Sequence, residues 1–174
     1  MPAIQQSPGS LPTPANLAKP VVEKVASQIA AKLGYTPGCD LEKIVKDLGG
    51  VVKYENWGEE GRDGSLEVTP GQSPHFVIRL ASFAGHLRNR FTIAHELGHY
   101  FLHSNVGQKE ITVAREGSGR VEWEANWFAG AFLLPEAQFK ADWEKYGHSI
   151  PRIVGVYQVS EAVVEIRLNN LKMQ

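Results

Sequence analysis

The feature that most constrains this chain is the pentapeptide His95-Glu96-Leu97-Gly98-His99, which lies inside a stretch with helical apolar spacing. The apolar residues that set this spacing are Phe91, Ala94, Leu97, Phe101 and Leu102. They predict one helix over about residues 88–103 with a buried face. Residues four apart lie about 40° from each other around a helix axis, so His95 and His99 can direct two imidazoles at one point.

Two neutral imidazoles on one helix face, with a carboxylate beside them, suit a divalent metal ion. The imidazole nitrogens can bind the ion, and the Glu96 carboxylate can take a proton from a water activated there. A helical setting is what a zinc peptidase requires of this motif. Two ordinary surface or core histidines are the alternative, but chance matches should be rare in a chain with only six histidines. We therefore predict His95 and His99 as metal ligands and Glu96 as the catalytic base.

Composition excludes several other classes of protein. A length of 174 residues fits one domain with a small appendage. A net charge of −1 argues against binding nucleic acid mainly by broad electrostatic attraction. The single cysteine, Cys39, forms no disulfide within the chain, excludes a cysteine-based zinc site and fits a reducing cytosol. Without a long apolar run or a secretory signal pattern, the chain is expected to be cytoplasmic and to have no membrane partner.

The apolar patterns predict an α+β domain. Residues 1–20 contain five of the ten prolines and are predicted to be a proline-rich flexible tail, leaving residues 21–174 as a single domain. The predicted strands cover residues 51–55, 65–69 and 75–80, with a short extended piece at 111–113. The predicted helices cover residues 21–33, about 41–48, 88–103, 121–134, 137–146 and a C-terminal pair at about 150–171. This order predicts a small, mostly antiparallel sheet packed on the metal helix, with additional helices.

A third ligand is predicted on the helix over residues 121–134. At 100° per residue, Glu122 shares one narrow face with the apolar residues Ala125, Ala129 and Leu133. A carboxylate on such a face is expected to be paired or bound to metal, because burying it alone is costly. Small alanines also let this helix pack closely against the metal helix. Glu122 is therefore the predicted third ligand.

Alternatives to Glu122 remain open at this point. Glu124, which points to roughly the opposite side, is the fallback ligand, and a salt bridge from Glu122 to Arg120 or Arg90 would need no metal. The longer zinc motif with a glycine three and a histidine six positions after the second histidine is not matched. His103 is rotated by about 80° from His95. It is predicted to support the ligands or the structure rather than to bind metal directly.

The C-terminal pair also has the outline of a helix-turn-helix, which raises the question of DNA binding. The last helix offers Arg167 and Lys172 as cations, a thin basis for phosphate contacts. Two packing helices that complete the domain are the preferred interpretation, so we expect no direct binding of nucleic acid.

Three stretches together resemble the ImmA/IrrE-type metallopeptidases. They are residues 90–103, residues 122–135 from Glu122-Trp123-Glu124-Ala125 to Pro135, and Val159-Ser160-Glu161-Ala162 with Arg167-Leu168. The first is shared by many zinc proteases, and the second at this distance is much more specific. The resemblance implies a zincin-like α+β metallopeptidase domain. It also implies Zn²⁺ at His95, His99 and Glu122, a site that would accept Mn²⁺ as well.

The resemblance also implies a substrate class. Many members of the family act on a helix-turn-helix repressor or antitoxin, often encoded beside them, and cleavage relieves repression. The first 20 residues are too few and too proline-rich for a DNA-binding domain, so the repressor is expected to be a separate chain. The alternative function is a metal-containing module that binds and sequesters such a repressor without cutting it. Tyr100, His103 and residues 104–120 are the candidates for stabilising the oxyanion, and the sequence favours none of them.

Overall fold

The computed structural model describes residues 9–57, 63–114 and 119–173, and these residues form seven helices and four strands. The helices are α1 (Lys19–Lys32), α2 (Leu41–Asp47), α3 (His86–His103), α4 (Arg120–Leu133), α5 (Glu136–Lys145), α6 (Ile150–Tyr157) and α7 (Glu161–Asn170). The strands are β1 (Gly50–Glu55), β2 (Gly64–Val68), β3 (Phe76–Ala81) and β4 (Ile111–Ala114). The predicted α+β class is confirmed.

The four strands form one small sheet in the order β1-β3-β2-β4. β2 pairs antiparallel with both β3 and β4, so the expectation of a mostly antiparallel sheet is also confirmed. β1, however, lies parallel to β3, which the strand patterns did not indicate. Alternating burial shows which residues face the core, but it does not show which strands are neighbours.

Helix α3 is the central element, and most of its side chains are buried. Its face toward the sheet carries Ile93, Leu97 and Tyr100, which belong to the same core cluster as the buried strand residues. The Tyr100 ring packs on Phe76 of β3 with the ring centroids 4.3 Å apart. The sheet and α3 thus share one apolar core, which holds the histidine-bearing helix in place.

The opposite side of α3 packs against α4 at Gly98, inside the pentapeptide. A Cβ atom added to Gly98 would lie 3.1 Å from the Ala125 Cα and 3.1 Å from the Phe128 Cβ. Both atoms belong to or adjoin the α4 backbone and cannot rotate away. The absence of a side chain at Gly98 therefore sets the distance between the two helices, and with it the distance from the histidines to Glu122.

Replacing Gly98 by valine is expected to lower the free energy of unfolding by about 3 kcal/mol, because the added methyl groups would press against the α4 backbone. Urea unfolding followed by circular dichroism measures this change. Gly130→Val is the matched control, because an added Cβ at Gly130 in α4 meets no atom within 4 Å. Equal losses in the two variants would contradict a special role for the close approach.

Residues 9–18 form neither helix nor strand, yet hydrogen bonds tie them to the domain. The Ser10 carbonyl accepts from the Thr112 N–H of β4 at 3.2 Å, and the Ala15 N–H donates to Glu124 Oε2 at 2.8 Å. The Leu17 carbonyl accepts from the Arg120 guanidinium. Residues 9–18 are therefore anchored along β4 and α4. Residues 1–8 of the predicted tail lie outside the described residues, and the division of the chain at residue 20 stays a prediction.

The C-terminal helices pack inward instead of presenting a basic face. Arg167 is 2% exposed, its Nε donates to the Leu134 carbonyl at 3.0 Å, and its Nη1 lies 3.2 Å from Glu23 Oε1. One of the two cations considered for phosphate contact is thus engaged in the protein interior. Among the described residues, no helix combines the length and the apolar character needed to cross a membrane.

Candidate metal centre

The donor atoms of His95, His99 and Glu122 converge on one point. The two histidine Nε2 atoms are 3.1 Å apart, and the Glu122 oxygens lie 3.0 Å from His95 Nε2 and 3.3 Å from His99 Nε2. Two ligands at 2.0–2.1 Å from a tetrahedral zinc ion are separated by about 3.3 Å. The observed spacings fit this donor set, so the three residues could hold a metal ion, and the predicted trio does come together.

The two helices supply these ligands in different ways. His95 and His99 sit one turn apart on the buried middle of α3, and both are 0% exposed. Glu122 lies in the first turn of α4, where the helix dipole favours a negative charge. Its side chain is 13% exposed, so the centre approaches solvent on the Glu122 side.

The electrostatic environment favours the metal-binding forms of Glu122 and His99. Burial acts to raise the pKa of Glu122, but the adjoining His95 and His99 side chains outweigh it and hold that pKa well below its usual range. Burial lowers the pKa of His99 to about 4, against the opposing effect of Glu122. An ionised carboxylate and a neutral imidazole are the forms that bind a cation.

Each histidine has a partner behind it, on the ring nitrogen that faces away from the centre. His95 Nδ1 lies 2.9 Å from Asn126 Oδ1, and His99 Nδ1 lies 2.9 Å from His103 Nδ1. Sequence reasoning assigned a supporting role to His103 but missed Asn126. The available signal was its spacing, since Asn126 follows Glu122 by four residues and shares its side of α4.

Glu124 does not join the three ligands and is engaged elsewhere. It is 0% exposed, and its oxygens lie 2.9 Å from His103 Nε2 and 2.9 Å from the Arg120 Nε. The fallback assignment of Glu124 as a ligand is therefore not supported by the geometry. The salt bridge considered for Glu122 is not formed either, since Arg120 pairs with Glu124 and Arg90 donates to the carbonyls of Cys39 and Gln158.

Glu96 is fully buried on α3, close to the first residue of β2. A Cβ atom added to Gly64 would lie 3.3 Å from Glu96 Oε1 and 2.4 Å from the Thr92 Cγ2. The backbone of β2 therefore passes directly over the predicted base, which only glycine permits at this position. This cover limits the access of bulk water to the carboxylate.

A cavity of about 370 Å³ has Glu122, one of the three converging residues, in its lining. It is lined by Leu11, Pro12, residues 112–114 and residues 119–122. These residues lie on both sides of residues 115–118, which are outside the described residues. A peptide bound in this cavity would lie against Glu122.

Two of the oxyanion candidates have other partners. His103 lies behind His99, between that residue and Glu124. The Tyr100 hydroxyl donates to the Val106 carbonyl at 3.4 Å. Of the predicted candidates, residues 112–114, 119 and 120 share the cavity lining with Glu122.

A buried helix with the His95-Glu96-x-x-His99 motif, a glutamate from a later helix and a small packed sheet together define an α+β domain of the metallopeptidase type. Residues 45–169 match the peptidase M78 family model, described as the IrrE N-terminal-like domain. The chain belongs to this family, as its resemblance to the ImmA/IrrE-type proteins implied.

One curated protein and one solved structure are similar to this chain. The metallopeptidase ImmA of Bacillus subtilis (strain 168) is 24% identical over 135 residues, which cover 76% of this chain and 73% of the relative. A transcriptional regulator of Mycobacterium tuberculosis has the same fold, with a TM-score of 0.61 and 23% identity. That similarity covers 85% of this chain and 46% of the regulator, so this chain spans about half of the regulator's length.

Proposed function

We propose that this chain is a zinc-dependent endopeptidase. The observation that carries the proposal is the convergence of the His95, His99 and Glu122 donor atoms, two of which come from the helix that also carries Glu96. These three residues would hold the ion, and Glu96 is the catalytic residue. Manganese would also suit a site of two imidazoles and a carboxylate.

In the proposed reaction, the metal ion and Glu96 have different roles. A zinc ion bound there supplies Lewis acidity, which makes water a better nucleophile and polarises a carbonyl. Glu96 accepts the proton of the attacking water and delivers it to the leaving amine. The buried surroundings of Glu96 keep bulk water from competing for the same proton. The cavity at Glu122 would admit the peptide segment that is cut.

The proposed substrate is a helix-turn-helix repressor or antitoxin made as a separate chain, and the proposed location is the cytoplasm. The family relation to ImmA supports this class of substrate, and the fold shared with a transcriptional regulator is consistent with a regulatory role. The buried position of Arg167 supports the view that this chain itself does not bind DNA through α7.

The test is incubation of the purified protein with the helix-turn-helix repressor encoded nearest to it. Metal-free protein, zinc-loaded protein and manganese-loaded protein are compared by gel electrophoresis and mass spectrometry of the products. A defined cut that requires metal is the expected result. Tight binding of an uncut repressor by the metal-loaded protein would instead favour the sequestering module.

A further inference from the structure

Behind the metal centre runs a buried chain of hydrogen bonds that connects His99 to Glu124. His99 Nδ1 lies 2.9 Å from His103 Nδ1, and His103 Nε2 lies 2.9 Å from Glu124 Oε2. All three side chains are at least 96% buried, so solvent does not compete for these contacts. The chain joins α3 to α4 on the side of His99 that faces away from Glu122.

At the far end of the chain, both oxygens of Glu124 accept hydrogen bonds from other groups. The carboxylate accepts from the Arg120 Nε at 2.9 Å and from the Ala15 N–H at 2.8 Å. An acceptor held by a guanidinium and a backbone N–H is suited to the ionised state, in which both of its oxygens accept hydrogen bonds. His103 must therefore donate from Nε2 to Glu124.

The direction of every remaining hydrogen bond follows from this donation. A neutral imidazole has one donor and one acceptor nitrogen, so a His103 that donates from Nε2 must accept at Nδ1. His99 then donates from Nδ1 to His103. With its proton on Nδ1, His99 presents the lone pair of Nε2, which is the atom that lies beside His95 and Glu122.

We propose that His103 and Glu124 are positioning residues that fix the tautomer and ring orientation of His99 for metal binding. This inference rests on the proposed function, because it concerns the same centre. Arg120 and Ala15 hold the outer end of the chain, so the segment over residues 9–18 takes part in ordering a metal ligand. Partners of this kind change metal affinity by about 10- to 100-fold when they are removed.

The proposal predicts that His103→Phe binds zinc about 10- to 100-fold more weakly than the unaltered protein. Phenylalanine fills much of the same space but accepts no hydrogen bond from His99. His103→Asn should recover part of the affinity, because its Oδ1 can take the place of Nδ1 as the acceptor. Glu124→Gln should weaken zinc binding in the same direction. Competition with a chromophoric chelator measures the affinities.

A second measurement determines which ring nitrogen of His99 and of His103 carries the proton. Imidazole nitrogen NMR of the protein should show His103 protonated on Nε2 and His99 protonated on Nδ1. The visible spectrum of the cobalt-loaded protein should change in His103→Phe and move back in His103→Asn. A role in packing alone would change stability without this pattern of rescue.

Tyr157→Phe is the control for general destabilisation. Its hydroxyl donates to the buried Asp142 at 2.8 Å, away from the metal centre. Loss of this hydrogen bond should lower the midpoint of thermal unfolding and leave zinc affinity unchanged. Equal zinc affinity in His103→Phe and the unaltered protein, or His103 protonated on Nδ1, would overturn the inference. If the unaltered protein itself binds no metal, the proposed function fails, which is a distinct outcome.

Discussion

Replacing Glu96 by glutamine is expected to reduce cleavage of the repressor by about 10²- to 10⁴-fold while zinc stays bound. The amide has nearly the same shape as the carboxylate but accepts no proton at neutral pH. Glu96 lies on α3 between the two histidines, and it is not among the residues whose donor atoms converge. The variant should therefore fold and hold metal as the unaltered protein does.

The measurement is the initial rate of repressor cleavage for both proteins at equal zinc occupancy. Occupancy is determined separately by elemental analysis, so that a loss of metal cannot be mistaken for a loss of the base. Glu67→Gln is a suitable control, because that partly exposed residue pairs with Arg79 on the sheet. Undiminished cleavage by Glu96→Gln would contradict the assignment of Glu96 as the catalytic base.

Replacing Glu122 by glutamine is expected to lower zinc affinity by more than about 100-fold, the upper range for losing a residue that only supports a ligand. The substitution removes the one negative charge among the three donors and leaves a weaker neutral oxygen. Chelator competition measures the change. Glu124→Gln is the informative comparison, because that variant alters a carboxylate two residues away that contacts His103 instead of the centre.

The order of the two effects distinguishes the assignments. If Glu122 is the ligand and Glu124 the support, the loss in Glu122→Gln should clearly exceed that in Glu124→Gln. The reverse order would restore Glu124 as the ligand and would require α4 to rotate from the position described here. Cleavage should fall in parallel with zinc occupancy in both variants.

The cavity that contains Glu122 in its lining is also lined by residues from the N-terminal part of the chain. Leu11 and Pro12 line the cavity together with residues of β4. The Ser10 carbonyl accepts a hydrogen bond from the Thr112 N–H of β4. The residues that a peptide would meet on its way to Glu122 therefore include the chain's own N-terminal segment. The prolines of this segment were interpreted from the sequence as a sign of flexibility. They are also compatible with a segment that forms no helix along β4 and α4, since proline favours extended backbone.

The sequence alone was sufficient for the elements whose signal is local. Helical spacing identified α3 to within two residues and placed His95 and His99 on one side of it. The same periodicity on α4 singled out Glu122, because a carboxylate on a stripe of alanines needs a partner. The strand patterns also located the four strands, and the motif pointed to the family that the later comparison confirmed.

Only the tertiary structure determined how these elements meet. The parallel pairing of β1 with β3, the contact of Gly98 with Ala125 and the path of residues 9–18 depend on distant parts of the chain. Glu124 shows the reason most clearly. Its helical position suggested that it faces away from the centre, yet it is buried because His103, Arg120 and Ala15 surround it. Periodicity records which side of an element is buried, whereas the partners of a buried charge are set by the packing of separate elements.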